Sequence, residues 1–265
     1  MITAYNNPQI KLIKELLEKS KAREKNDLFV LEGARLCMEA PLSKVKSLYV
    51  SEDFYNKSFK DMLTKFGKDK KDYEDKVQVV DNNIFKSVSN TVTPQGIMAV
   101  CKRMYGDLNE VISKGKPVLV LENLQDPGNM GTILRTAEAA GMAGILASKG
   151  TVDIYNPKVV RATMGTIFRV PVVYEDIDTI IDKLKKNDFV VMATILDDES
   201  KSLYDYKFGL KTAVVIGNEG NGITKETSEK CTSSCYIPMS GEVESLNASV
   251  AAAVMMYEIK RQVGI

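Results

Sequence analysis

Histidine is absent from the 265 residues, and so is tryptophan. The first absence removes every catalytic device built on an imidazole: the Ser-His-Asp triad, the Cys-His dyad and any His-containing zinc site. Acid–base chemistry has to come from carboxylates, Lys, Arg, Tyr, Cys or the substrate itself. The four cysteines, Cys37, Cys101, Cys231 and Cys235, are too few for a disulfide framework in a chain of this length. Cys231 and Cys235 have no second pair beside them, so no metal site is expected. The longest apolar stretch, 248–257, is about ten residues and contains Ser249, against the roughly 20 that a bilayer span requires. The opening MITAYNNPQIK has no apolar h-region, so no secretory signal is read there, and a cytoplasmic protein without membrane attachment is expected. An excess of either charge is missing too, with 36 Lys+Arg against 35 Asp+Glu.

Cutting the chain makes the charge informative. Residues 1–105 hold 19 basic and 14 acidic side chains, whereas 106–265 hold 17 and 21. A basic first part beside an acidic second part implies a division of labour. The boundary falls near Met104, Tyr105, Gly106 and Asp107, between a closing strand at 96–101 and a short linking helix.

In the first part, Asn6-Asn7-Pro8 starts a helix with an apolar stripe of Ile10, Ile13, Leu16 and Leu17, leaving Lys11, Lys14, Lys19 and Lys21 off it. Strands follow at 28–31, 45–50, 77–80 and 96–101, with helices at 33–40 and 53–66 and a charged loop at 68–76. The second part alternates more clearly. Strands are expected at 118–122, 144–147, 170–173, 189–195, 212–217 and 235–237, and helices at 129–140, 157–167, 176–187, 223–230 and 247–263. Short apolar strands separated by helices define an α/β fold with a parallel sheet covered on both faces.

Three corners of this sheet carry polar or glycine-rich sequence. The first holds Asn129, Gly131 and Arg135 at a helix N-terminus, where backbone N–H groups and the dipole favour an anion or an oriented polar ligand; a capped helix with a surface arginine is the plainer alternative. The second is Gly217-Asn218-Glu219-Gly220-Asn221-Gly222, whose glycines let backbone approach a ligand closely. It matches neither the dinucleotide fingerprint nor the phosphate loop of NTPases. Glu219 there either ties the loop together or holds a ligand group. The third runs from Ile237 through Met239, Ser245 and Asn247 into the last helix, for which Ser245 or Asn247 is a candidate N-cap.

In this order and spacing the three corners resemble the motifs of the SpoU (TrmH) family of RNA ribose 2′-O-methyltransferases, in the SPOUT superfamily: N-x-G-x-x-x-R, G-N-E-G-x-G and I-P-M-x-G-x-x-x-S-L-N-x-S. The stretches 29–36 and 93–97 are similar to the family's ribosomal-protein-L30e-like domain, and 156–165 to the branch that includes thiostrepton-resistance-type rRNA methyltransferases.

The resemblance implies a deep trefoil knot over roughly 190–255, with 1–105 as the L30e-like RNA-binding domain and 106–265 as the methyltransferase domain. It implies S-adenosylmethionine as cofactor, bound by Gly217, Ile237 and Leu246 with Thr194 and Met239 beside them. A homodimer with a composite site is implied, and RNA, most simply 23S rRNA, as substrate. Arg135 carries the reaction in family accounts, with Asn129, Glu219, Ser245 and Asn247 positioning it and the ribose. A free-base arginine is very costly, so orientation of phosphate and oxyanion is the physically easier role for Arg135. Arg23, Lys25 and Arg35 are the expected RNA-phosphate contacts. An idle RNA-binding protein of the same fold is the rival reading, yet it should have lost Asn129, Arg135, Glu219 or Asn247. A small-molecule α/β enzyme would leave the basic half without a task.

Overall fold

A computed structural model describes residues 1–197, 200–240 and 245–265. The motif position Gly241 lies outside the described residues. The chain divides into two units, Met1–Met104 with Tyr155–Phe168, and Tyr105–Ile154 with Arg169–Ile265.

The first unit contains α1 (Pro8–Glu18), α2 (Ser20–Asn26), β1 (Leu28–Glu32), α3 (Ala34–Glu39), β2 (Val45–Ser51), α4 (Glu52–Lys57), α5 (Phe59–Lys65), β3 (Val77–Val80), α6 (Asn82–Val88) and β4 (Ile97–Lys102). Its sheet order is β1-β4-β2-β3. The β1/β4 and β4/β2 pairs are antiparallel and β2/β3 is parallel. The Asn7 side chain caps α1 through the Gln9 amide at 2.8 Å, and Ile10, Ile13, Leu16 and Leu17 enter a core with Val30, Tyr49 and Phe85. Lys11, Lys14, Lys19 and Lys21 face solvent.

Elements of the second unit are α7 (Leu108–Ser113), β5 (Val118–Leu121), α8 (Pro127–Ala140) and β6 (Ile145–Ser148). After α9 (Pro157–Thr163), which belongs to the first unit, come β7 (Val172–Glu175), α10 (Ile177–Lys186), β8 (Val190–Thr194), β9 (Lys201–Ser202), β10 (Thr212–Ile216), α11 (Lys225–Lys230), β11 (Ser233–Tyr236) and α12 (Ala248–Val263). The seven strands lie in the order β7-β6-β5-β10-β8-β11-β9, every pair parallel. All residues of β5, β6 and β10 are buried, as a sheet covered on both faces demands. Ile180, Ile181 and Leu184 of α10 pack on Val118, Val120, Val191 and Val215.

Departures from the expected elements have local causes. The helix expected over 53–66 is broken at Ser58, whose φ of −134° leaves the helical region. The helix expected over 157–167 stops at Thr163, because Met164 turns left-handed at φ 51°. Helix α8 starts two residues early: Asp126 accepts from the Asn129 amide at 2.7 Å and Pro127 fills the first helical position. Helix α6 was not expected, although Asp81 caps it through the amides of Asn83 and Ile84. The segment 155–168 packs with the first unit rather than the second, with the Tyr155 ring 4.5 Å from that of Phe29.

One basic residue is not where its sequence context suggested. Arg23, expected to face RNA, is 3% exposed, and its Nη1 donates to the Leu16 carbonyl at 2.8 Å. It satisfies the end of α1 from inside the fold. Arg23→Ala is expected to cost about 1–3 kcal/mol and lower the Tm by several degrees in calorimetry, with RNA affinity at permissive temperature unchanged. A stability equal to wild type would return Arg23 to the surface residues.

Candidate active site

The site forms at the carboxyl ends of three neighbouring strands, β10, β8 and β11. A cavity of about 500 Å³ opens there, within the 300–1,000 Å³ usual for small-molecule sites. Its walls come from the end of β8 and beyond (Thr194, Ile195, Leu196), the end of β10 and beyond (Ile216 to Gly220), the end of β11 and beyond (Tyr236, Ile237, Met239) and the lead into and first turn of α12 (Ser245, Leu246, Ala248, Ala251). Crevices outside the carboxyl ends of strands are where open parallel sheets hold ligands. The five residues expected at a cofactor, Thr194, Gly217, Ile237, Met239 and Leu246, all line this one cavity, as do Glu219 and Ser245. The Thr194 hydroxyl is engaged within the sheet, donating to the Val215 carbonyl at 2.6 Å.

The Gly217–Gly222 loop closes on itself. Asn218 and Gly222 exchange both backbone hydrogen bonds at 2.9 Å, and Asn218 Oδ1 accepts from the amides of Gly220 and Asn221. A Cβ on Gly217 would stand 2.1 Å from the Gly222 carbonyl carbon and 2.3 Å from the Ile223 nitrogen. Glycine is therefore required here by closure of the loop itself, before any ligand approaches.

Glu219 resolves the choice left open by the sequence. Its Oε1 accepts from the Asp126 amide at 2.9 Å and from Asn129 Nδ2 at 3.0 Å, and its Oε2 from the Gln125 amide at 3.0 Å. Asn218 Nδ2 adds a bond to the Asn123 carbonyl at 2.9 Å. Glu219 thus ties the second corner to the first. Burial pushes its pKa up, but the bonds from Asn129, Gln125 and Asp126 outweigh that and hold it below the ordinary carboxylate range. A carboxylate so occupied is a poor proton acceptor.

The other expected site residues differ in what they touch. Asn129 is 7% exposed and held by Glu219. Asn247 caps α12, its Oδ1 accepting from the Ser249 and Val250 amides and the Ser249 hydroxyl. Arg135 lies on α8 four residues beyond Gly131, exposed, with no hydrogen bond or ion pair among the described residues and outside the cavity lining. Helical side chains lean toward the N-terminus, and glycine one turn back leaves the stem of Arg135 unobstructed. Of the expected RNA contacts, Lys25 is exposed, and Arg35 is exposed and paired with Glu39 at 2.9 Å on its own helix. Cys231 and Cys235 do not act together: the Cys231 thiol donates to the Thr227 carbonyl, and Cys235 packs on Met255. Among the described residues no group of three or more Cys, Asp or Glu is disposed to hold a metal ion.

Residues that sequence reasoning missed are ones joining the corners: Glu122, Asn123, Gln125, Thr224 and Thr227. Glu122, Asn123 and Gln125 precede Asn129, and Thr224 and Thr227 follow Gly222, but polar residues near a motif carry no pairing information until the strand order is known.

Residues 116–257 match the SpoU rRNA Methylase family and 7–99 the MRM3-like substrate binding domain. The chain belongs to the SpoU rRNA methylase family. It is 33% identical over 263 residues to the 23S rRNA (guanosine(2553)-2′-O)-methyltransferase RlmP of Bacillus subtilis, with 98% of each chain covered. The AdoMet-bound rRNA methyltransferase from Sinorhizobium meliloti is similar with a TM-score of 0.82 at 26% identity, over 98% of this chain and 97% of that one. The SpoU methyltransferase AviRb from Streptomyces viridochromogenes, in complex with AdoMet, shares the fold with a TM-score of 0.82 at 23% identity, over 97% and 98% of the two chains.

Linkage gives the clamp a pH signature. The folded pKa of Glu219 lies below its ordinary value, so its contribution is complete above the unfolded pKa of about 4.3 and is lost as pH falls through the folded value. The Tm difference between wild type and Glu219→Gln, followed by scanning calorimetry, should stay level from about pH 8 to 5 and shrink below about pH 4. A difference that grows on acidification would contradict the clamp.

Proposed function

We propose that this chain is an S-adenosylmethionine-dependent methyltransferase acting on a ribose 2′-hydroxyl of RNA, with 23S rRNA as the substrate. The observation that carries the reading is the cavity of about 500 Å³. It is walled by the carboxyl ends of β8, β10 and β11 and the segment leading into α12, with Met239 and Leu246 in its lining, within the family to which the chain belongs. The lining fits an adenosyl group: apolar side chains for a flat ring, with the loop residues 217–220 and the segment at Tyr236 and Ile237 beside it for its polar rim. Gly217, Ile237 and Leu246 would hold that group, with Thr194 and Met239 beside it. When bound, S-adenosylmethionine supplies an electrophilic methyl on a sulfonium sulfur.

The residues of the chain supply orientation. In-line displacement depends on alignment and water exclusion, and the chain has no imidazole to take a proton. Arg135 is free to clamp an RNA phosphate and stabilise the developing alkoxide, the 2′-hydroxyl proton leaving to that phosphate or to water. Asn129 and Glu219 fix the corner that carries Arg135. Asn247, its oxygen fixed by the helix cap, has an amide nitrogen left to meet the ribose, and Ser245 stands at the cavity wall. The knot over roughly 190–255 belongs to this proposal. So does a homodimer; Val250 and Tyr257 of α12, 48% and 51% exposed, suit its interface, whereas Ala252 is wholly buried inside its own unit. No helix among the described residues is long and apolar enough to cross a membrane, and a cytoplasmic enzyme is proposed.

Residues 1–105, with the segment 155–168 that packs on them, are proposed as the RNA-binding domain and the rest of 106–265 as the methyltransferase domain. Lys25 and Arg35 support phosphate binding by the first. The Arg35–Glu39 pair is exposed, and such pairs contribute little, so it yields readily to a phosphate.

Arg135→Ala should reduce methyl transfer to an rRNA fragment at least tenfold, a barrier change of about 1.4 kcal/mol or more, while S-adenosylhomocysteine affinity stays within a few-fold. Retention of activity would leave Arg135 a surface residue. Lys25→Ala/Arg35→Ala should weaken RNA binding and flatten its salt dependence, by about one unit of slope for each phosphate no longer neutralised, with cofactor affinity intact. An unchanged slope would move the RNA elsewhere.

A further inference from the structure

We infer that Glu122 is a positioning residue for the cofactor loop: its buried carboxylate, the reciprocal of Glu219, fixes the trailing end of Gly217–Gly222. Glu122 follows β5 directly and is 3% exposed. Its amide donates to the Ile216 carbonyl at 2.9 Å, so it sits level with the start of the loop. Its Oε2 accepts from the Thr224 amide at 2.9 Å, and its Oε1 from the hydroxyls of Thr224 and Thr227, each at 2.7 Å. Every side-chain bond of Glu122 therefore ends within a few residues after Gly222.

The arrangement says more than that a buried acid has partners. A buried carboxylate without hydrogen bonds is strongly disfavoured, so the two threonines and the Thr224 amide are held to it and cannot drift. The loop is a closed ring on the Asn218–Gly222 stem. A ring has position only through what holds it from outside. Asn218 is held at its leading edge, Glu219 at its tip, and Glu122 holds the chain as it leaves. Glu122 itself lines no part of the cavity, whereas Gly217, Asn218, Glu219, Gly220 and Gly222 do. Its effect on a ligand passes entirely through the loop.

This inference rests on the reading of the cavity as the S-adenosyl site, and the test separates the two. Glu122→Gln preserves shape and one acceptor but cannot accept from both hydroxyls and the amide together. Thr227→Val leaves Glu122 in place and removes a single donor. With S-adenosylhomocysteine as the calorimetric probe, Glu122→Gln should raise Kd about tenfold and Thr227→Val by a smaller factor. In steady-state assays with an rRNA fragment, the KM for S-adenosylmethionine should rise while kcat and RNA affinity stay near wild type. Thr227→Ser, which restores the hydroxyl, should recover the wild-type Kd. Wild-type protein that fails to bind S-adenosylhomocysteine would remove the cavity reading and this inference with it. Wild-type binding with Kd unchanged in both variants, whatever their Tm, would remove the inference alone and make Glu122 an anchor of α11. If Glu122→Gln does not fold, the Thr227→Val and Thr227→Ser pair decides by the same criterion.

Discussion

Two carboxylates exchanged between neighbouring corners hold the site together. Glu122, at the end of β5, reaches across to the chain leaving the second corner, and Glu219, in the second corner, reaches back to the amides that open α8. Each corner thereby donates an acid to the other. A parallel sheet fixes its strands well but leaves the segments beyond their carboxyl ends with only local restraint, and loops of this kind are ordinarily the mobile part of a fold. Crossed acids convert two loops into one body: Glu219 holds Asn129 and the start of the helix bearing Arg135 against the loop, and Glu122 holds the loop's trailing end.

The part of the wall formed by the loop 217–222 is a closed backbone ring, and this has a particular logic. Side chains could supply hydrogen bonds to a ligand, but each would bring rotamer freedom that binding must remove. Carbonyl and amide groups in a closed ring have already lost theirs on folding. The Gly217 position shows the cost: the ring shuts so tightly that no β-carbon fits between Gly217 and Gly222, and sequence variation there is excluded by geometry rather than by the ligand.

Much of this was legible in the residues, and the reasons differ from case to case. Buried strands such as 118–121 and 212–216 announced themselves because both faces are covered and the apolar run is unbroken. The three motif corners could be singled out because each puts glycine or asparagine at a strand-to-helix turn. Arg23 was misjudged because a basic residue just past an amphipathic helix reads as surface, and nothing local reports that α2 folds it back onto Leu16. The partners of Glu122 and Glu219 lie about 90 to 105 residues away in sequence. Pairing over that distance is decided by β10 inserting beside β5, which no short-range pattern encodes.

The excursion of 155–168 into the first unit has a consequence for how this molecule can be taken apart. The backbone passes from one unit to the other at three points, after Met104, Ile154 and Phe168. A cut at the first of these would yield an amino-terminal piece lacking the helix that covers β1, with Phe29, now wholly buried, stripped of the Tyr155 ring above it. The complementary piece would carry that helix with nothing to sit on. The two units are thus two bodies but not two modules, and a lineage could exchange the first for another only by rewriting a stretch in the middle of the second.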